Sequence, residues 1–357
     1  MAMTTSWRAS RASPHSVPNN TDGHRSKTAT VGRRKTQHGP LRARYLPRLL
    51  AGTLLFAACG ADPDNTKPAT PEPAVAETTA ESVTAVARDT ADANETVGER
   101  IVSLSATATE MLYALGAQGQ IVAVDNLSNY PRAAADMATK IDTAEPDMAA
   151  ITKLDPTVVL LTGDAGDLQA RLETLGVKVW IGAAAGTLDD TYRQITELGD
   201  LTGKAEAAAA LIESMKSEIE ATITGTELPD APVSYYYETD DTFHSITSNT
   251  LIGQLMSRFM LRNIADTAES DSDYPQLSEE SIISSNPQVI FLADLRCCGQ
   301  TAETVATRAG WDVIDAVAKG NIVELDEDVT LRWGPRIVEL VKVVAQAVTE
   351  FVASAKG

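Results

Sequence analysis

With 357 residues, 43 % of them hydrophobic, the chain is long enough to bury a sizeable core, and a formal net charge of −19 argues against nucleic acid as a partner. The charge is unevenly placed. Residues 1–59 hold ten Lys/Arg against one Asp, so residues 60–357 carry −28. Three cysteines, two of them adjacent, build no disulfide framework.

The first segment, Met1 to Pro47, shows neither helical nor strand period and is set aside as a leader. It is followed by "RLLAGTLLFAACG", in which a basic flank precedes an apolar run, Leu49 to Ala58, too short to cross a bilayer as a helix. Small residues then precede Cys59. This order is that of a secretion signal, and the Ala-Ala-Cys-Gly junction resembles the lipobox of bacterial lipoproteins, with Phe56 where leucine is commoner. The resemblance implies that residues 1–59 are leader and signal peptide and that Cys59 is acylated. The protein is then expected outside the cytoplasm, held to the bacterial cell membrane by lipid.

Residues 60–98 are rich in Ala, Thr, Pro, Glu and Asp, with no large apolar residue beyond scattered valines. Such a stretch cannot bury enough surface to offset its chain entropy and is read as a disordered tether.

From residue 99 onward, strand-like and helix-like runs alternate. "RIVSLS", "IVAVD", "TVVLLTG" and "KVWIG" are short β-branched runs, and "ATEMLYALG" between the first two has helical spacing. Thr107 and Glu110 have the spacing of a capping box for that helix. The alternation predicts parallel βα units over 99–203. Lys204 to Gly225 reads as one uninterrupted helix, giving an interlobe helix at 204–226. Strands resume as "VSYYYET", "QVIFLAD" and "NIVELD" in a second α/β lobe, 227–353. The expected fold is therefore α/β, with two lobes joined by a single long backbone helix.

The halves echo each other. "AITKLDPTVVLL" (150–161) aligns without gaps to "SIISSNPQVIFL" (281–292), pairing Pro156 with Pro287 and Val158 with Val289. Two similar lobes enclose a cleft, and ligands of open α/β sheets lie outside the carboxyl ends of the strands.

"RIVSLSATATEMLYALGAQGQIVAVDNLSNYP", the "DPTVVLL" unit, "YPQLSEESIISSNPQVIFLAD", "AGWDVIDAVAKGNIVELDED" and "RWGPRIVEL" together resemble the substrate-binding proteins of bacterial ABC importers for iron complexes and vitamin B12. The similarity runs from about Arg100 to Val348. It implies a ligand cleft between two rigid lobes, and delivery of a small-molecule metal chelate to an ABC permease and its ATPase. The protein would act as a monomer without an intrinsic cofactor. A lipoprotein that senses ligand without transporting it shares this fold. An exported hydrolase is the weaker alternative, because no phosphate loop, nucleophile elbow or HExxH occurs, and the pairs Asp240-Asp241 and Glu279-Glu280 are adjacent residues that diverge on a helix.

The chelate is left open among cobalamin or another corrinoid, a ferric siderophore and haem. Residues 60–357 contain one histidine, His244, which excludes a multi-histidine site for bare Zn or Mn. In the similar vitamin B12-binding protein, an aspartate and an arginine four residues on approach the corrin. They match Asp328 and Arg332 here, while the aromatic residues that hold the corrin correspond to Leu127, Thr143, Thr162 and Glu238, which argues against cobalamin itself. Tyr130, Trp333 and the run Tyr235-Tyr236-Tyr237 offer other aromatic faces or ordinary core. Arg296, Arg332 and Arg336 are candidate partners for an anionic chelate, and His244 or a tyrosine is a candidate haem ligand.

Cys297 and Cys298 follow the strand "QVIFLAD" and form either a vicinal disulfide or two free thiols. The family docks on permease arginines through a glutamate of each lobe. In the second lobe this falls on Glu280. The echo pairs position 280 with Ala149, so Glu145 or Asp147 is expected to take the first-lobe role.

Overall fold

The computed structural model describes residues 98–356 apart from Ala138 and Ala165, so Cys59, the leader and the segment 60–97 lie outside the described residues. The first lobe runs β1 (Ile101–Leu104), α1 (Ala106–Ala114), β2 (Ile121–Asp125), α2 (Arg132–Ala135), β3 (Lys140–Ile141), α3 (Met148–Lys153), β4 (Val158–Leu161), α4 (Leu168–Thr174), β5 (Lys178–Ile181) and α5 (Leu188–Thr202). Its strands form one parallel sheet in the order β3-β2-β1-β4-β5. Then comes α6 (Ala205–Gly225), which begins one residue after Lys204.

The second lobe runs β6 (Val233–Glu238), α7 (Leu251–Ser257), β7 (Leu261–Asn263), α8 (Glu279–Ser285), β8 (Val289–Leu292), α9 (Leu295–Cys298), α10 (Ala302–Ala306), α11 (Asp315–Lys319), β9 (Ile322–Glu324), α12 (Glu327–Thr330) and α13 (Ile337–Lys356). Its parallel sheet has the order β7-β6-β8-β9.

Strand periodicity decides which side chains meet. Ile101, Val158 and Leu160 of the first sheet, and Tyr235, Tyr237, Val289 and Phe291 of the second, join one hydrophobic cluster shared by both lobes. Ala208, Ile212, Met215, Ile219 and Ile223 form the stripe of α6 buried in that cluster. The alternate residues, Val102 and Val159 in one lobe and Tyr236 and Ile290 in the other, pack into separate outer clusters. Where α5 turns into α6, a Cβ on Gly199 would lie 2.5 Å from the Ala208 Cβ, so this position takes only glycine without a shift.

The internal echo is realised in the backbone. Asp155 after α3 and Asn286 after α8, 131 positions apart, both adopt the left-handed conformation, with φ of 48° and 45°. Each ends a helix before a proline and a buried strand. Asp and Asn tolerate this conformation better than other residues with a Cβ.

The cap of α1 differs from expectation. Ser105 is the N-cap and its hydroxyl accepts from the Ala108 amide. Thr107 is buried and Glu110 is only 3 % exposed, turned toward the other lobe. The capping-box spacing at Thr107 and Glu110 therefore reports no cap.

Candidate functional site

The loops after β5, β6 and β8, together with the stretch from α12 into α13, gather at the carboxyl ends of the strands. There they enclose a cavity of about 160 Å³. Ala184 and Ala185 contribute from the first lobe. Tyr237, Ile246, Leu251, Ala293, Leu331 and Trp333 contribute from the second, so the walls are largely apolar. Leu331 and Tyr274 are 68 % and 59 % exposed at this cavity, and Leu127, on the loop after β2, is 58 % exposed. Apolar side chains left in water beside a cavity are what a ligand face requires.

Arg332 lines the cavity, and its guanidinium is engaged by protein acceptors. Nη1 donates to Glu110 Oε1 at 2.6 Å, and Nη2 donates to the Leu127 carbonyl at 3.0 Å and to Asp328 Oδ1 at 2.8 Å. Arg336 donates to both oxygens of the same Glu110, at 2.7 and 3.0 Å, and its guanidinium lies 4.3 Å from the centre of the Tyr130 ring. One glutamate of the first lobe thus holds two arginines of the second. Asn129 adds a bond across the lobes, from Nδ2 to Asp328 Oδ2 at 2.7 Å.

Arg296, at the rim, lies 2.5 Å from Asp328 Oδ1 and 3.4 Å from Glu327 Oε2. Burial alone would raise the Asp328 carboxyl. Hydrogen bonds from Arg296 and Asn129 and the charges of Arg332 and Arg296 outweigh it and hold the group below the usual carboxylate range. For Arg336, burial works against the charge, and the Glu110 hydrogen bonds and charge more than offset it.

The other expected residues fall in different places. Trp333 lines the cavity and donates from Nε1 to Gln194 Oε1 at 2.8 Å. Tyr130 and Arg336 instead line a second hollow of about 590 Å³ on the flank, between α1, α6 and α13. His244 lies outside both, its Nδ1 2.9 Å from Asp240 Oδ2. Glu238, aligned with a corrin-holding position, is fully buried against Arg308, on the sheet face opposite Tyr237, because it shares the orientation of Tyr236. Thr143 donates to Asn126 Oδ1 at 2.8 Å. All three tyrosines of the run are buried, and of these Tyr237 reaches the cavity wall.

Cys297 and Cys298 form a vicinal disulfide in α9, beside Arg296. The Cys297 amide donates to Glu327 Oε1 at 3.0 Å, which ties this bend to the start of α12. Glu280 and Glu145 are exposed, and Asp147 is the N-cap of α3, accepting from the amides of Ala149 and Ala150. Sequence reasoning passed over Tyr274 and Leu331. Leu331 carried a signal, being a large apolar residue inside the charged run "DEDVTLR".

A profile of the periplasmic binding protein family matches residues 101–329. The chain belongs to this family. Among similar proteins is an uncharacterized ABC transporter substrate-binding lipoprotein of Bacillus subtilis, YvrC. It is 25 % identical over 318 residues, covering 86 % of this chain and 97 % of YvrC. A cobalamin-binding protein of Halobacterium salinarum is 30 % identical over 270 residues, 73 % of this chain and 72 % of that one. Among solved structures, a possible iron-binding periplasmic solute-binding protein of Staphylococcus epidermidis superposes with a TM-score of 0.63 at 25 % identity. That match covers 70 % of this chain and 98 % of its own. The family and relatives of this chain are binding proteins, and the relative of Bacillus subtilis is named a substrate-binding lipoprotein of an ABC transporter.

Proposed function

We propose that the protein captures a corrinoid of the cobalamin class and delivers it to an ABC permease and its ATPase. The observation that carries this reading is the pairing of the arginines: Arg332 at the cavity, Arg296 beside it in the same ion network and Arg336 on the flank each face carboxylates within the protein. A ferric tricatecholate or the propionates of haem would have to pull Arg332 from its buried pair with Glu110, at a cost of several kcal/mol, whereas the half-exposed Arg296 pair is a smaller barrier. A corrinoid instead offers an apolar ring and neutral amide arms to the exposed Leu127, Leu331 and Tyr274. The relative named cobalamin-binding supports the same class. Replacement of Glu238 at an aligned aromatic position does not count against it, since that residue is buried away from the cavity. The cavity is smaller than a corrin, so the ring is expected to rest across its mouth with one arm inside. Titration of the purified protein with cyanocobalamin, haemin and a ferric tricatecholate is the test. Binding of cyanocobalamin alone is expected, and selective binding of either iron chelate overturns the reading.

Cys59 is the proposed lipid attachment site, supported by its place after the apolar run and by the lipoprotein relative. The Cys59→Ser variant should move to the soluble fraction. Membrane association that persists with no acyl mass on the N-terminus refutes the assignment. Glu280, in the first turn of α8, is proposed to dock on the permease, with Glu145 or Asp147 on the other lobe. Rim charges act chiefly through steering and complementarity, so Glu280→Ala should slow uptake while leaving ligand affinity unchanged. Uptake equal to wild type would remove Glu280 from that surface.

A further inference from the structure

We propose that Asp294 and Glu238 share one proton, and that this proton holds the segment carrying Arg296 and the Cys297–Cys298 disulfide against the second sheet. Glu238 ends β6 and Asp294 follows β8, and both are fully buried on the sheet face turned away from the cavity. Arg308 donates to Glu238 from Nη1 at 2.7 Å and from Nη2 at 2.5 Å, and to Gln300 Oε1 at 2.7 Å. Its guanidinium lies 4.5 Å from the Trp311 ring centre and 5.5 Å from that of Phe243. Three of the five N–H donors of Arg308 are used in these bonds, and none of them goes to Asp294. Asp294 is left with two carboxyl oxygens that receive no hydrogen bond, and the Tyr236 hydroxyl beside the pair has no partner either.

Two buried carboxyls on one sheet face, with one guanidinium bonded to Glu238 and none to Asp294 among the described residues, carry a surplus negative charge in a low-dielectric setting. A proton between them removes it. The charged and titratable groups around Asp294 are Glu238, Tyr236 and Tyr237 from β6 and Arg308 from the turn after α10. Burial first, and then the Glu238 charge, push the Asp294 carboxyl up to about 8, which favours the protonated form in the fold at neutral pH. Asp294 also anchors the segment through its carbonyl, which accepts from the Cys298 amide at 3.2 Å and the Gln300 amide at 3.4 Å. Loss of the proton to hydroxide leaves two buried carboxylates on one sheet face, and release of the segment 295–300 is the expected way for Asp294 to reach water.

The test compares wild type with Asp294→Asn, whose amide can donate to Glu238 without a proton to lose. The folded state of the wild type holds one proton more than the unfolded state between the ordinary aspartate value and about 8. Its unfolding constant should therefore rise by roughly tenfold per pH unit, relative to the variant, through that window and level off above it. Parallel pH profiles overturn the shared proton. If the variant does not fold, infrared spectra of the wild type decide: a protonated carboxyl band at pH 7 that vanishes in alkali is expected, and its absence at pH 7 overturns the proposal. Hydrogen exchange reads the anchoring step. The Cys298 and Gln300 amides should lose protection above about pH 8, beyond the rise common to all amides, in wild type and not in Asp294→Asn. Unchanged protection in wild type refutes that step.

Discussion

Replacing Glu110 by alanine should lower the unfolding free energy by about 3–5 kcal/mol, the range for removing one partner of a buried ion pair. Its carboxylate meets Arg332 and Arg336, which are 8 % and 10 % exposed, so both guanidinium groups would be left largely buried without this partner. The loss should appear as a lower urea midpoint at unchanged slope. Glu110→Gln keeps the shape and an acceptor oxygen and should cost less. The same substitution should alter selectivity. With the Glu110 charge gone, Asp328 alone balances Arg332, so the positive potential at the cavity wall rises toward an anionic ligand. Glu110→Gln should thus gain affinity for haemin relative to cyanocobalamin. An unfolding free energy within about 0.5 kcal/mol of wild type, the ordinary spread of surface substitutions, would show that Glu110 fastens nothing.

The two-lobed α/β plan was legible because strand runs and helical spacing alternate through 99–325 and because the 131-residue echo repeats helix, proline and strand. The echo reached even the left-handed residues, since Asp and Asn are the non-glycine residues that tolerate that conformation. The site was legible only in part. Composition picked out Arg332 and Arg336, but their partner Glu110 lies 222 and 226 residues away, and local spacing offered it a nearer role in a capping box. Glu238 was misplaced by matching position to position. The period of two along "VSYYYE" puts it on the face of Tyr236 and away from the cavity. Arg308 and Asp294 gave no local signal, because a buried ion network is assembled from segments that only the sheet order brings together.

Trp311→Ala should cost about 3–5 kcal/mol, the range for removing a large aromatic side chain from a packed core. Trp311 is fully buried in the outer cluster of the second lobe, edge-on to Tyr236 at 6.2 Å and beneath Arg308. The cavity left behind would open beside the Glu238 and Arg308 pair, so collapse of the site is opposed by buried charge. Its indole nitrogen also donates to Glu279 Oε1 at 2.9 Å, which fixes one of the two adjacent acids at the start of α8. Trp311→Phe separates the two effects, since it retains most of the apolar volume and deletes only the donor. That variant should lose about 1–2 kcal/mol, the scale of a hydrogen bond to a partly exposed charged group plus imperfect filling. Ligand affinity should not change, because Trp311 packs on the sheet face opposite the cavity. If Glu280 docks on the permease, freeing its neighbour Glu279 should also slow uptake at constant ligand affinity. Urea unfolding, ligand titration and uptake on the same two variants give the answer. A Trp311→Ala loss below about 1 kcal/mol would show that the second lobe repacks freely around the gap, contrary to the rigid lobe drawn here.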